Sequence, residues 1–485
     1  MTKIWAWLKK HGGVIFSVFL LLLASFMSLS KTFQNDTYNA ITNGNYILQH
    51  GIDDKDHFTI HDNLRFVKFR WGFDVVTAIL YDIGGFTAVY ISTLIFVALI
   101  GLSIYFYAYK KTKSLFVAFF AGLIMIIVGV DYIVTRAQTL SYLLLFFELI
   151  CMRSFVKTHR PIMLALIALI GMLLLSVHAS VWIVFMALFV PGLIELFVRK
   201  QYKGFAMLAG ALAAIIAISL LSPLGIMPYV YPFQIMGDTI SHRIISELAT
   251  TPLQEIIPLL VFSSIALVEL IIARRKQACS IYDILTVFGI TVFGAIAKRN
   301  YITAVMLLIP IFVDVVAARL IPLRRHERLN EFALYTSYLV LIILAAGVVT
   351  QTVIKAPSRL AEEYVSQKNF PVGASDYIIE NLDLKTLRMY DFFDYGAYLN
   401  FRGIPTFIDS RSEIYEDYFS DTNIFVDYYN VEYGSYDNFR SLILKYKLNY
   451  VICNRYGGMD FHLTKTNYVE NVYKDDYFAV WKIKE

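Results

Sequence analysis

Long apolar stretches interrupted by short polar ones dominate the first 355 residues. Apolar runs near the length needed to cross ~30 Å of hydrocarbon occur at 13–30, 87–109, 115–132, 139–152, 161–177, 181–198, 205–221, 256–273, 281–297, 301–318 and 332–354. The pattern predicts a polytopic helical membrane protein with about eleven transmembrane helices. From 355 onward the runs shorten and turn residues appear, as in an α/β domain. There the pattern predicts helices at 374–382, 396–401 and 438–446, strands at 386–392, 406–409 and 450–454, and a closing pair of strands within 469–484. Ala356, Pro357 and Ser358 mark the hand-over. The expected domains are 1–355, transmembrane, with an outer loop over 31–70, and 356–485, a C-terminal extracytoplasmic α/β domain.

Charge gives the membrane domain a direction. Basic clusters fall in every second gap: Lys110, Lys111 and Lys113; Arg153, Lys157 and Arg160; Arg199, Lys200 and Lys203; Arg274, Arg275 and Lys276; Arg319, Arg324, Arg325 and Arg328. With Lys3, Lys9 and Lys10 they mark the cytoplasmic side, so the N-terminus is expected inside and the segments 31–70, 222–255 and everything after 354 outside. The run to Ser30 carries no clear small-x-small cleavage site and reads as an uncleaved anchor. Composition agrees with a membrane protein: 58% hydrophobic, 17% charged and a mean hydropathy of +0.58. The net charge of +5 lies in small clusters between apolar runs, which excludes a nucleic-acid-binding stripe. Cys151, Cys279 and Cys453 are too few and scattered for a disulfide framework or a thiolate metal site.

Candidate chemistry concentrates on the expected outer side. Asp36 stands six residues beyond Ser30, where a helix would deliver it to the mouth of the bundle. A partly dehydrated carboxylate there accepts a proton from a substrate hydroxyl; the alternative is a solvated Asp that ends the helix. Arg136, Arg243, Lys298 and Arg299 lie where the positive-inside rule expects few cations, and a lipid phosphate supplies a reason for them. The alternative is snorkelling to head groups. His178 in SVHAS reads as a donor to the same phosphate or as a packing residue. Glu247, Asp56 and Trp71 are candidates for sugar or acceptor binding, with simple solvation as the alternative for Glu247. Asp409 and Arg411, two apart at the end of an expected strand, project to one face, either to pair with each other or to bind sugar hydroxyls.

These residues fall into an ordered set. Asp36 and Tyr38 are followed by Gly44, Ile47, Leu48, His50 and Gly51, then Asp56, Phe58 and Thr59, then Trp71. Further on come Arg136 with Gln138, SVHAS, SPLG, Arg299 with Asn300, and YGAYLNFRGIPTFIDSRSEIY over 395–415. The arrangement resembles the bacterial membrane glycosyltransferases of the GT-C fold, relatives of the dolichyl-phosphate-mannose protein mannosyltransferases and of the lipid A aminoarabinose transferase. More closely, it resembles a bacterial branch with this loop grammar. That branch often has a second Asp where Asn35 stands, a Trp pair at Tyr38 and Asn39, and a Pro at Ala137; Asn35 cannot act as a base, so the role would fall to Asp36 alone.

The resemblance implies an inverting glycosyltransferase that takes a sugar from a polyprenyl-phosphate carrier and gives it to a glycan, lipid or protein acceptor on the outer face of the bacterial cytoplasmic membrane. In it Asp36 is the base, and Arg136, Lys298, Arg299, Arg243 and His178 meet the donor phosphate. A divalent metal cofactor stays open. So do two other readings: a transporter or flippase of a lipid-linked or anionic solute, and a non-catalytic cell-envelope scaffold. The absence of an internal repeat weighs against a transporter.

Overall fold

The computed structural model describes residues 2–130, 132, 134–237, 245–275, 280–323, 327–416 and 423–484. Its helices are α1 (Thr2–Ser28), α2 (Asn35–His50), α3 (Trp71–Thr112), α4 (Leu115–Val128), α5 (Ala137–Thr158), α6 (Pro161–His178), α7 (Trp182–Ala187), α8 (Phe189–Val198), α9 (Tyr202–Leu220), α10 (Met227–Gly237), α11 (Leu253–Arg275), α12 (Ile281–Ile296), α13 (Lys298–Leu323) and α14 (Glu327–Ala361), with short 3₁₀ turns at Ala179–Val181 and Ser246–Leu248. After α14 come α15 (Val372–Asn381), β1 (Met389–Tyr390), α16 (Gly396–Phe401), α17 (Ile424–Tyr429), α18 (Phe439–Tyr446), β2 (Tyr450–Asn454), α19 (Gly458–Thr464), β3 (Val469–Lys474) and β4 (Phe478–Ile483).

Each of the eleven apolar runs falls on helix, which makes the chain a polytopic helical membrane protein. Seven helical spans among the described residues are long and apolar enough to cross a bilayer, fewer than the eleven runs. Three of the four missing spans have local causes. The helices at Leu115–Val128 and Ile281–Ile296 are short, and the runs 161–177 and 181–198 form one continuous span, Pro161–Val198. Within it, Pro191 has no N–H to bond the Ala187 carbonyl, and the helix is interrupted at Leu188. Helix α3 is broken at Gly84 and Gly85, the latter at φ +58, a conformation glycine adopts without a Cβ penalty. Ala356, Pro357 and Ser358, expected as a linker, lie in the last turns of α14.

The chain forms two compact units. The first comprises residues 1–31, 90–222 and 245–362, the second 32–89, 223–244 and 363–485. In the first, helices pack around buried apolar side chains such as Leu20, Tyr105, Phe119, Phe146 and Met306. Arg153 is not a solvated topology charge but is buried: its guanidinium binds both oxygens of Asp283 on α12 at 2.7 and 3.0 Å, Asp314 on α13 at 2.7 Å and the Tyr107 hydroxyl on α3 at 2.8 Å. One cation thereby ties four helices, and its charge is compensated by two carboxylates.

In the second unit the sheet order is β1-β2-β4-β3, with β1 parallel to β2 and the other pairs antiparallel. The strand expected over 386–392 shrinks to two residues. The one expected at 406–409 becomes a single parallel bridge, Thr59 to Thr406, flanked by Ile60 N to Thr406 O at 2.8 Å and Thr406 N to Phe58 O at 3.2 Å. Residues of the expected outer loop therefore belong to the core of the C-terminal fold: Ile60, Leu64 and Phe66 are buried with Tyr390, Phe407, Tyr415, Phe439 and Val451. Helix α2, which the sequence pattern leaves as loop, buries Tyr38 completely among Phe86, Phe370, Tyr398 and Phe401.

Gly44 explains how α2 and α3 approach. A Cβ there would lie 2.1 Å from the Asp74 carbonyl oxygen and 2.7 Å from the Ala78 Cβ. Backbone cannot yield as a side-chain tip can. Gly44→Ala is expected to force the helices apart and cost about 1–3 kcal/mol despite the better helix propensity of alanine, read as a lower thermal midpoint of the detergent-solubilised protein.

Candidate active site

Asp36 lies beyond the end of α1, which stops at Ser28, and in the first turn of a second helix, α2, which begins at Asn35. A carboxylate in a first helical turn is favoured by the N-terminal partial charge. Its Oδ1 accepts from Arg70 Nη1 at 2.9 Å, and Arg70 Nε lies 3.2 Å from Oδ1 of the fully buried Asp74, one helical turn along α3. Burial opposes the charge on Arg70, but Asp74 and Asp36 together hold its pKa above the ordinary guanidinium value. Asp36 is a quarter exposed, at 26%, so it is anchored on one side and open on another. Trp71 begins α3 beside Arg70 and is half-buried. Asn35 donates to the carbonyls of Phe393 and Asp394, and Asn39 donates to the Ser410 hydroxyl at 2.7 Å, which ties α2 to the 393–410 segment.

Directly after that segment, Arg411 bridges two carboxylates. It donates from Nε to Asp409 Oδ1 at 2.9 Å, from Nη2 to Asp409 Oδ2, and from Nη1 to Asp56 Oδ1 at 2.7 Å. The other oxygen of Asp56 accepts from the Thr59 amide at 3.0 Å and the Thr59 hydroxyl at 2.7 Å. Burial would raise Asp56, yet Arg411 and Thr59 hold its carboxyl below the usual range. The side chain is 1% exposed, so its hydrogen-bonding capacity is spent within the protein. Asp409 and Arg411 pair with each other, the first of the two arrangements their spacing allows. Glu413, two residues further, is pushed above the usual carboxylate range by burial, against the fields of Arg70 and Arg411.

His61 completes this neighbourhood. Its Nε2 lies 2.8 Å from the Phe407 carbonyl oxygen, a contact in which the ring donates, and it stands edge-on to Phe407, Tyr415 and Tyr446. Burial pushes its pKa from 6.5 down to about 4, against the pull of that carbonyl and of Asp56. The unfolded ring takes up a proton near pH 6.5 and the folded one only near pH 4. Stability is therefore expected to fall as pH drops through that window, by about 3 kcal/mol in all, and to level off below it. Thermal midpoints between pH 7.5 and 4 should show the slope in the native protein and a shallower one in His61→Gln.

The expected phosphate-binding residues group in the first unit. Arg136, the N-cap of α5, contacts Glu247 at 2.7 Å. Glu247 sits in the turn Ser246–Leu248, which packs on α13. Lys298 and Arg299 begin α13; the Lys298 amide donates to the Ala249 carbonyl at 3.0 Å and its ammonium lies 3.3 Å from Glu255. His178 Nδ1 is 2.8 Å from the hydroxyl of Ser141, five residues after Arg136 on α5. The half-buried Arg299 has no hydrogen-bond or ion-pair partner among the described residues. Several cations beside a helix N-terminus make an environment suited to a phosphate. Arg243 lies outside the described residues.

No family model matches the sequence, and no curated protein matches it. Solved structures do. The chain is similar to ArnT from Cupriavidus metallidurans bound to undecaprenyl phosphate, with a TM-score of 0.54 and 16% identity over 97% of this chain and 98% of that one. It is likewise similar to the same protein in the apo state, with a TM-score of 0.55 and 16% identity over 98% of both chains. The chain has the GT-C fold.

Within this GT-C fold, Arg70, Asp74 and Glu413 are charged neighbours of Asp36 that the sequence reading passed over. Arg70 and Asp74 are spaced i, i+4 across the start of α3, a signal that was legible; Glu413 reaches this neighbourhood only through the tertiary fold. Among the described residues no three His, Cys, Asp or Glu side chains converge to hold a metal ion. Arg70 pairs with Asp36 and Asp74, and Arg411 with Asp409 and Asp56.

Proposed function

We propose that this GT-C protein is an inverting glycosyltransferase that moves a sugar from a polyprenyl-phosphate carrier to an acceptor on the outer face of the bacterial cytoplasmic membrane. The observation that carries the reading is Asp36: a carboxylate fixed by Arg70 at 2.9 Å and still partly open, in a chain whose fold is similar over its whole length to a protein crystallised with undecaprenyl phosphate. The alternating basic clusters support the orientation, with the N-terminus inside and the C-terminal domain, 356–485, outside.

In the proposed reaction the acceptor oxygen forms its bond to the anomeric carbon as the bond from that carbon to the phosphate oxygen breaks on the opposite face. The hydroxyl proton passes to Asp36, and the carrier leaves as polyprenyl phosphate. Arg136, Lys298 and Arg299 are assigned the phosphate charge, for which fixed cations in a water-poor setting are effective. Arg70 positions the base. Proteoliposomes loaded with radiolabelled polyprenyl-phosphate sugar test the proposal: covalent transfer of label to envelope acceptors supports it, whereas movement of the labelled lipid between leaflets without transfer refutes it.

A further inference from the structure

The end of the chain builds a second feature, apart from Asp36 and the residues that hold it. A cleft of ≈ 630 Å³ is lined by Arg455 and Tyr456 from the turn after β2, Asp460 and Phe461 from α19, and Asn471 and Lys474 from β3. That volume is within the range of small-ligand sites.

The sheet sets its polar wall by a break in register. Regular alternation would put Asn471 and Tyr473 on one face. The register shifts between them, so Asn471 pairs with Trp481 and Lys474 with Ala479. Trp481 and Ala479 are two apart on β4 and line the cleft together, which brings Asn471 and Lys474 to the same face. Tyr473 is turned away and stacks on Tyr377 at 5.0 Å.

The opposite wall is aromatic and exposed. Tyr456 adopts φ +63, a strained position for a residue with a side chain, and is 81% exposed. Its amide donates to Asp460 Oδ2 at 3.0 Å, and Arg455 lies over its ring at 4.5 Å while donating to its hydroxyl at 2.6 Å. Phe461 is 62% exposed, with the Lys465 ammonium 3.7 Å from its ring centre. Asp460 is occupied internally, since its other oxygen accepts from the Trp481 indole at 3.1 Å. Lys474 is exposed, with no hydrogen-bond or ion-pair partner among the described residues.

We infer that this cleft binds an anionic saccharide chain, a sugar polymer bearing carboxylate or phosphate groups. Fixed, exposed aromatic rings offer flat apolar faces on which the C–H faces of sugar rings stack. The amide nitrogen of Asn471 is held by the Tyr473 and Val480 carbonyls at 3.2 and 3.3 Å, which leaves its oxygen to accept from a sugar hydroxyl, and the unpaired Lys474 ammonium calls for an anion. The choice of a saccharide rests on the transferase reading, in which this chain is the acceptor or is attached to it.

Isothermal titration of the full-length protein in nanodiscs, with hexagalacturonate as the anionic probe and maltohexaose as the neutral one, tests this. Hexagalacturonate is expected to bind about tenfold or more tighter than maltohexaose, and Lys474→Gln and Phe461→Ala each to weaken it about tenfold. Lys474→Arg should retain binding, and added salt should weaken it. Equal affinity for the two sugars, binding of neither, or indifference to both substitutions in protein that keeps its wild-type thermal midpoint overturns the inference. Asp36→Asn is expected to bind hexagalacturonate like wild type. Binding in a preparation that transfers no sugar thus leaves the cleft standing while the transferase reading falls, and transfer by a protein that does not bind the probe does the reverse.

Discussion

Asp36→Asn is expected to lower sugar transfer by at least about a hundredfold, the scale of a lost general base, while the protein still folds and inserts. The substitution is nearly isosteric. The amide oxygen can still accept from Arg70 Nη1, which now lies 2.9 Å from Asp36 Oδ1, so the start of α2 keeps its anchor. What disappears is the ability to take the acceptor proton. Asp74 is a poor substitute, since it is fully buried. The measurement is initial-rate transfer in proteoliposomes at matched protein content, with thermal midpoint and protease resistance as checks on the fold. Transfer within threefold of wild type would remove Asp36 from the mechanism and turn attention to Glu413, the half-buried carboxylate held in the fields of Arg70 and Arg411.

Why the apolar runs were legible and the setting of Asp36 was not follows from how far apart the contributing residues lie in sequence. Hydrophobic periodicity is local, so each apolar run from 13–30 to 332–354 could be read from its own residues and falls on helix. The same holds for α16, β2 and the β3–β4 hairpin, where the pattern and the structure agree to within a few residues. By contrast, the bridge between Thr59 and Thr406 and the pair between Asp56 and Arg411 join positions about 350 residues apart, and no local pattern announces them. The same long-range pairing accounts for the strand expected at 406–409: its partner is one residue of a distant loop, and a single bridge does not make a ladder. Helix α2 was missed because its apolar positions are diluted by Asn35, Asn39, Asn43 and Asn45, poor helix formers. Two of those asparagines, 35 and 39, bond to the 393–410 segment, a tertiary reason for residues that local propensity disfavours.

Arg411→Ala is expected to be among the most destabilising single substitutions in the second unit, at about 3–5 kcal/mol, the scale of a broken buried ion pair. The guanidinium is 3% exposed and compensates Asp409 and Asp56, themselves 0% and 1% exposed. Burial works against its charge, yet Asp409 and Asp56 hold its pKa well above the ordinary value, so the three groups are stable only as a set. Removal of the cation leaves two carboxylates without a counter-charge in a space closed by the rings of Phe58 and Phe66, 5.2 and 4.7 Å from the guanidinium carbon. The damage should spread, because the Asp56 side lies next to Phe58, Thr59 and Ile60, whose backbone bonds to Thr406 seat the loop in the C-terminal core. Adding Asp409→Asn and Asp56→Asn to Arg411→Met removes all three charges and should recover part of the loss, since neutral neighbours need no counter-ion. Asp409→Ala alone should likewise lower the thermal midpoint and protease resistance more than it changes turnover per folded molecule. A variant of Asp409 that is fully protease-resistant yet as inactive as Asp36→Asn would overturn this assignment and place Asp409 in the chemistry.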